Sequence, residues 1–352
     1  MEEPSPQTST LYPKITNHIK GVVKALRQKL HDPSNPAAPI IIPPIPIVGT
    51  VKLHGAHADI LIHHDNTIVL QSRNTTNLSV TTDIYSFAAS MTPKTAAILK
   101  LRDQYLARWR ELNPEKHLDE SIPVTIAGEW IGTKIQKDVA ICLLSRRFVI
   151  ISVKINGSWV LDSEYALVED VAADMYNISR GGVYHSTLYP EDPKRTVAAL
   201  EALAEKTAAR CPFAESFGVV GEGEGLVWKL VPYFSDADLW FKTKGGKFKP
   251  NFTPAPKKPA QGKGEKQEQA VKLAMAWCGE ERLQQGWDYL REKGIEQTMQ
   301  GLGDYLNWMQ SDVLIEEEGY IIEHKVDVQM LRMEIMKVAK AWYVERYMKG
   351  EE

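Results

Sequence analysis

One lysine in the sequence is set apart by its neighbours: Lys52-Leu53-His54-Gly55 follows an apolar run into Gly49. A lysine amine attacks an electrophile only after losing a proton, and burial or nearby positive charge lowers its pKa enough for that at neutral pH. Lys242 and Lys244 stand two apart in Phe241-Lys242-Thr243-Lys244. On a strand that spacing puts both ammonium groups on one face. Two cations converging on one anionic group would stabilise charge in a transition state and depress the pKa of Lys52. Taken singly, each motif also fits a plainer role, Lys52 as a surface lysine near a turn and the lysine pair as a solvated strand.

The elements that must hold these residues can be read in outline. Residues 59–63, 67–70, 124–129 and 148–155 are short β-rich runs, interrupted by a helical stretch over 93–112. A second helix is expected over 193–210, followed by another β-rich run over 218–233. Before them, Ile15, Ile19, Val22, Val23, Leu26 and Leu30 recur at helical spacing, and Pro36 through Pro46 break regular structure. After them, the Pro-, Lys- and Gly-rich stretch 251–265 reads as a linker or an extended basic strap. Beyond it the pattern is helical, with Leu331, Ile335, Val338 and Trp342 on one face. Trp277, Trp287, Trp308 and Trp342 are expected in the core, and Lys257, Lys258, Lys263 and Lys266 either track phosphates or are solvated. The division expected is 1–47 as an N-terminal helix and Pro-rich lead-in, 48–250 as an α+β domain of antiparallel sheets with flanking helices, 251–265 as linker, and 266–352 as a small all-helical domain.

Bulk properties narrow the class. The 352 residues are 43% hydrophobic and 25% charged, enough for a substantial core, and a formal charge of −3 leaves room for a local basic groove. Cys142, Cys211 and Cys278 form no CxxC pair, so neither a zinc site nor a disulfide framework is signalled and a reducing compartment fits. Residues 139–144 and 148–153 are too short to span a bilayer, and the opening Met1-Glu2-Glu3-Pro4 lacks the pattern of a secretory signal. An intracellular protein with no membrane partner is expected, with cytoplasm, nucleus and organelle left open.

The motifs gain weight from their order. After Lys52-Leu53-His54-Gly55 come Ser72-Arg73-Asn74, Ala127-Gly128-Glu129-Trp130-Ile131-Gly132 and Phe148-Val149-Ile150-Ile151. Cys211-Pro212-Phe213-Ala214 then leads to Gly223-Glu224-Gly225-Leu226-Val227-Trp228-Lys229, and Phe241-Lys242-Thr243-Lys244 closes the series. This order resembles the covalent nucleotidyltransferases, polynucleotide ligases and mRNA capping enzymes, over residues 45–250. Within them, KxHG, GEWxG and GEGxVWK resemble the RNA ligase branch typified by double-strand-type phage and trypanosome RNA-editing ligases.

The resemblance implies an α+β nucleotidyltransferase (ATP-grasp-like) fold and an ATP-dependent RNA ligase with Mg²⁺. Lys52 would carry AMP, Glu129 would accept hydrogen bonds from the ribose, and Phe148 would stack on adenine. Arg73 would contact nucleotide and phosphates, Lys242 and Lys244 the α-phosphate, and Glu224 would hold Mg²⁺ or face the Lys52 ammonium. Glu222 competes for that last role; Glu224 is preferred because Gly-Leu-Val follows it. Two positions depart from the family: Val51 stands where phage-type enzymes often carry Glu to read the adenine, and His57 where the family often has Asn. Rival readings are a DNA ligase or capping enzyme, and a non-catalytic RNA-binding protein on the same scaffold.

Overall fold

The computed structural model describes residues 12–31, 40–81, 83, 85–249 and 262–350. Two compact units emerge, one built from Ile41–Gly246 with the described residues up to Lys14, the other from Lys247–Glu352 with the described residues of Ile15–Ile40. The expected lead-in of residues 1–47 is thus divided between them. The Pro-, Lys- and Gly-rich stretch with Lys257 and Lys258 falls almost wholly outside the described residues.

Among the described residues of the first unit, ten strands form two sheets. One runs β10 (Phe241–Lys244), β9 (Gly225–Leu230), β1 (Ile45–Lys52), β8 (Val183–Leu188), all antiparallel. The other runs β3 (Ile68–Ser72), β2 (Ala56–Ile62), β4 (Val124–Ile131), β5 (Arg147–Ile155), β6 (Ser158–Trp159), with β7 (Met175–Asn177) parallel to β5. The antiparallel α+β expectation holds.

Strand alternation gives the second sheet two different faces. Ala58, Ile60, Ile126, Trp130, Phe148 and Ile150 form a core with helices α2 (Phe87–Met91) and α3 (Thr95–Leu112). Helix α3 contributes Ile98, Leu101, Tyr105 and Trp109, a spacing that keeps them on one side of the helix. The opposite face carries His57, Asp59, Glu129 and Ser152, a polar set that no apolar layer could cover cheaply. Helix α4 (Pro193–Ala209) packs on β8, β9 and β10. It starts with Pro at its first turn and Asp192 accepting the Arg195 N–H, two devices that fix a helix N-terminus. A short helix α5 (Pro212–Glu215) then leads into β9.

The elements described in the second unit are helices: α1 (Ile19–Leu30) with α6 (Lys263–Trp277), α7 (Glu280–Glu292), α8 (Leu302–Glu316), α9 (Glu318–Glu323) and α10 (Val328–Lys349). Leu331, Ile335, Ala339 and Tyr343 make the buried stripe of α10, which is capped by Asp327 accepting from Met330 N–H and ended by Gly350 at φ +64°. Trp277 and Trp287 are buried as expected, and Trp308 and Trp342 pack against the same core. His18 Nε2 lies 3.2 Å from Glu317 and Lys20 2.6 Å from Glu323, tying α1 to α9.

Candidate active site

The first sheet aligns the lysines by register. Lys52 pairs with Gly225, and Gly225 with Lys244, so the two lysines flank a residue without a side chain on one face. Thr50, Val227 and Lys242 form the next row on that face, and Val48 and Lys229 the next. Gly225 is needed where it stands: its φ is +150°, and a Cβ there would lie 2.0 Å from the Thr243 carbonyl oxygen. Close β9–β10 pairing is therefore what brings Lys244 beside Lys52.

Glu224, the residue before Gly225, is 2% exposed and sits between these cations. Its Oε2 is 2.6 Å from Lys52 Nζ and its Oε1 3.1 Å from Lys244 Nζ. His54 Nδ1 lies 3.7 Å from the same carboxylate. Burial by itself would raise the Glu224 pKa, but Lys52 and Lys244, with His54, outweigh it and hold the carboxyl well below the usual range. Lys242 is buried on the same face.

Glu129 approaches from the second sheet. Its Oε1 accepts the Gly55 N–H at 2.9 Å, which fixes the turn after Lys52. Gly55 leaves room for this contact, because a Cβ there would fall 2.6 Å from the Trp130 carbonyl oxygen and 2.8 Å from Glu129 Cγ. Burial raises the Glu129 pKa, against the opposing pull of Lys52, His57 and the Gly55 N–H. His57 pairs with Glu129 in register and shares its face. Its Nε2 lies 2.9 Å from Oδ2 of the fully buried Asp59.

The structure therefore brings Lys52, Glu224, Lys244, Lys242 and Glu129 to one locality. Arg73 follows β3 and reaches Tyr12, whose carbonyl accepts from its Nη1 at 2.6 Å. Phe148 is a correction. Glu129 pairs with Val149, so Phe148 points to the opposite face, fully buried against Phe87 and Trp130, with its ring over Gly128. Its ring is core, and Val149 is the β5 residue that shares the Glu129 face.

Two contributors escape a reading of the sequence. Asp59 could be found from its spacing of two from His57 on a strand, but Tyr12 has no local signal. Glu222, the competing carboxylate, lies beyond the strand, its carbonyl accepting from Ala140 N–H.

Glu224 is an oxygen donor suited to a hard cation, and Mg²⁺ characteristically uses one or two carboxylates while phosphates and water supply the rest. No cluster of three or more His, Cys, Asp or Glu side chains able to hold a metal occurs among the described residues. Nor is any helix among them long and apolar enough to cross a membrane.

Residues 45–244, more than half of the chain, match the RNA ligase family. Among solved structures the chain is similar to a mutant of Naegleria gruberi RNA ligase with ATP and Mn, at 14% identity and TM-score 0.40 over 68% of this chain and 57% of that one. It is similar also to Naegleria gruberi RNA ligase with PPi, at 14% identity and TM-score 0.38 over 70% of this chain and 62% of that one. The chain thus covers less than two thirds of these ligases. No curated protein matches it.

Proposed function

Because this chain belongs to the RNA ligase family, we propose that it joins RNA 3′-hydroxyl and 5′-phosphate ends with ATP, through AMP carried on Lys52, in RNA repair. The observation that supports this best is the Lys52–Glu224–Lys244 arrangement beside Glu129. A buried carboxylate that locates a lysine amine within a hydrogen bond, among further lysines, suits attack on a polyanion.

The Lys52 amine, once deprotonated, attacks the α-phosphorus of ATP; an N–P bond forms and the P–O bond to pyrophosphate breaks. An RNA 5′-phosphate oxygen then attacks the same phosphorus and frees Lys52. Finally a 3′-hydroxyl attacks the RNA 5′-phosphorus, losing its proton as AMP departs. Lys242 and Lys244 meet the phosphate charge that develops. Glu129 shapes the turn after Lys52 and faces the ribose, and Arg73 contacts phosphates. Mg²⁺ held at Glu224 would neutralise phosphate charge.

Incubation with α-labelled ATP tests the reading. The wild type acquires a label that survives denaturation and Lys52→Ala acquires none. Equal labelling of the two proteins would sink the assignment. A protein that binds RNA but never takes label would be a scaffold without turnover, and labelling by GTP or joining only of DNA would indicate capping or DNA sealing.

A further inference from the structure

Tyr12 stands forty residues ahead of Lys52 in sequence, yet it is only 6% exposed and makes its contacts at the candidate site. Its N–H donates to Asp59 Oδ2 at 3.1 Å, the oxygen that also meets His57 Nε2 at 2.9 Å. Its carbonyl accepts from Arg73 Nη1 at 2.6 Å. One residue's main chain thus fixes both His57, through Asp59, and Arg73. Its ring is wedged among Trp159 and Trp240, with centroids 5.5 Å away, and His57 at 5.9 Å. Among the described residues the second ring nitrogen of His57 and the remaining guanidinium nitrogens of Arg73 have no hydrogen-bond partner. The Arg73 nitrogens are donors, whereas the second nitrogen of a neutral His57 ring, whose Nε2–H is turned to the Asp59 carboxylate, is an acceptor; His57 lies on the face shared with Glu129.

We propose that Tyr12 is a positioning residue, which locks Arg73 in the orientation that grips an anionic oxygen of the substrate, a phosphate of ATP or of the RNA end, and holds His57 beside it through Asp59. The inference rests on the ligase reading above. Two main-chain hydrogen bonds to side chains of the site, beneath a ring with three aromatic neighbours, describe a fixture rather than a displaceable plug. A plug would spend its polar groups on water or on itself.

The test follows two steps separately: transfer of label from ATP to Lys52, and joining of RNA that already carries AMP at its 5′ end. Tyr12→Ala is expected to lose about 10²-fold in the step that Arg73→Ala impairs, the scale set by small misplacement of a binding group. The Tyr12→Ala/Arg73→Ala double variant should be no slower than Arg73→Ala, because residues acting through one another are not additive. Tyr12→Phe should restore activity, since the ring and main chain are kept and the hydroxyl has no hydrogen-bond partner among the described residues. If Tyr12→Ala does not fold by circular dichroism, Tyr12→Leu carries the same comparison. Unchanged rates, faster rates as from a released plug, or fully additive losses overturn the inference. A wild type that takes no label overturns the ligase reading and this inference with it; a labelled wild type with an unaffected Tyr12→Ala overturns the inference alone.

Discussion

Two carboxylates of the site are driven in opposite directions by their surroundings. Burial pushes Glu129 up, so the fold favours its protonated form. Such a group opposes folding increasingly as pH rises above its ordinary carboxylate range, and the penalty is complete above its raised folded pKa. Glu129→Gln, which keeps an acceptor for the Gly55 N–H, should therefore raise the thermal midpoint at neutral pH while slowing label transfer; an unchanged or lower midpoint would contradict this. Glu224 is the reverse case. Despite burial, Lys52 and Lys244 hold it down, so its contribution to stability is complete above the ordinary carboxylate pKa of about 4.3 and is lost as pH falls toward its folded value. The stability gap between wild type and Glu224→Gln should close over that acid range in denaturant titrations, and a gap constant with pH would refute the ion-pair account. These residues are legible in the sequence because each lies in a contiguous motif whose chemistry can be argued locally. Tyr12 is not, because nothing in its neighbours tells that its main chain will meet Asp59 and Arg73.

At the level of strands, register decides what a side chain can do. Lys242 and Lys244 can be placed on one face from spacing alone, since alternation is local. Whether Phe148 shares a face with Glu129 depends on how β5 pairs with β4, which includes a register shift between Ala127 and Gly128. No spacing within β5 reveals that, and the result puts Phe148 in the core. Phe148→Ala should accordingly cost about 3–5 kcal/mol of stability, read from the denaturant midpoint. A loss under 1 kcal/mol accompanied by weaker ATP binding would instead return the ring to the nucleotide. Gly225→Ala tests the β9–β10 seam. With a Cβ colliding with Thr243 and φ in the left-handed half of the map, the strain is on the order of 1–3 kcal/mol and Lys244 is moved from Glu224. Label transfer at full rate in a folded Gly225→Ala would show that this seam does not set the site.

Across the whole chain, the α+β character and the helical region after residue 262 are legible from periodicity. The membership of α1 is not, because a basic amphipathic helix shows an apolar stripe without showing which partner covers it. In the structure α1 belongs with α6–α10, and its Leu26 is fully buried. Leu26→Ala should cost about 2–5 kcal/mol, as a core leucine of a shared unit would. A denaturant midpoint indistinguishable from wild type would mean α1 is a loose appendage.

Lys229 ends the row of lysines on the first sheet, and it is spent differently from the others. Its amine reaches Asp162 at 2.6 Å and Ser152 of β5 at 2.8 Å, with the Trp240 ring 3.9 Å away, so it stitches one sheet to the other. The stitch lies opposite Val48, roughly 13 Å along β1 from Lys52 at about 3.3 Å per residue. A second join lies at the other end of β1, where the chain passes through Leu53–Gly55 straight into β2 and Glu129 accepts the Gly55 N–H, so the two sheets are pinned both at Lys229 and beside Lys52.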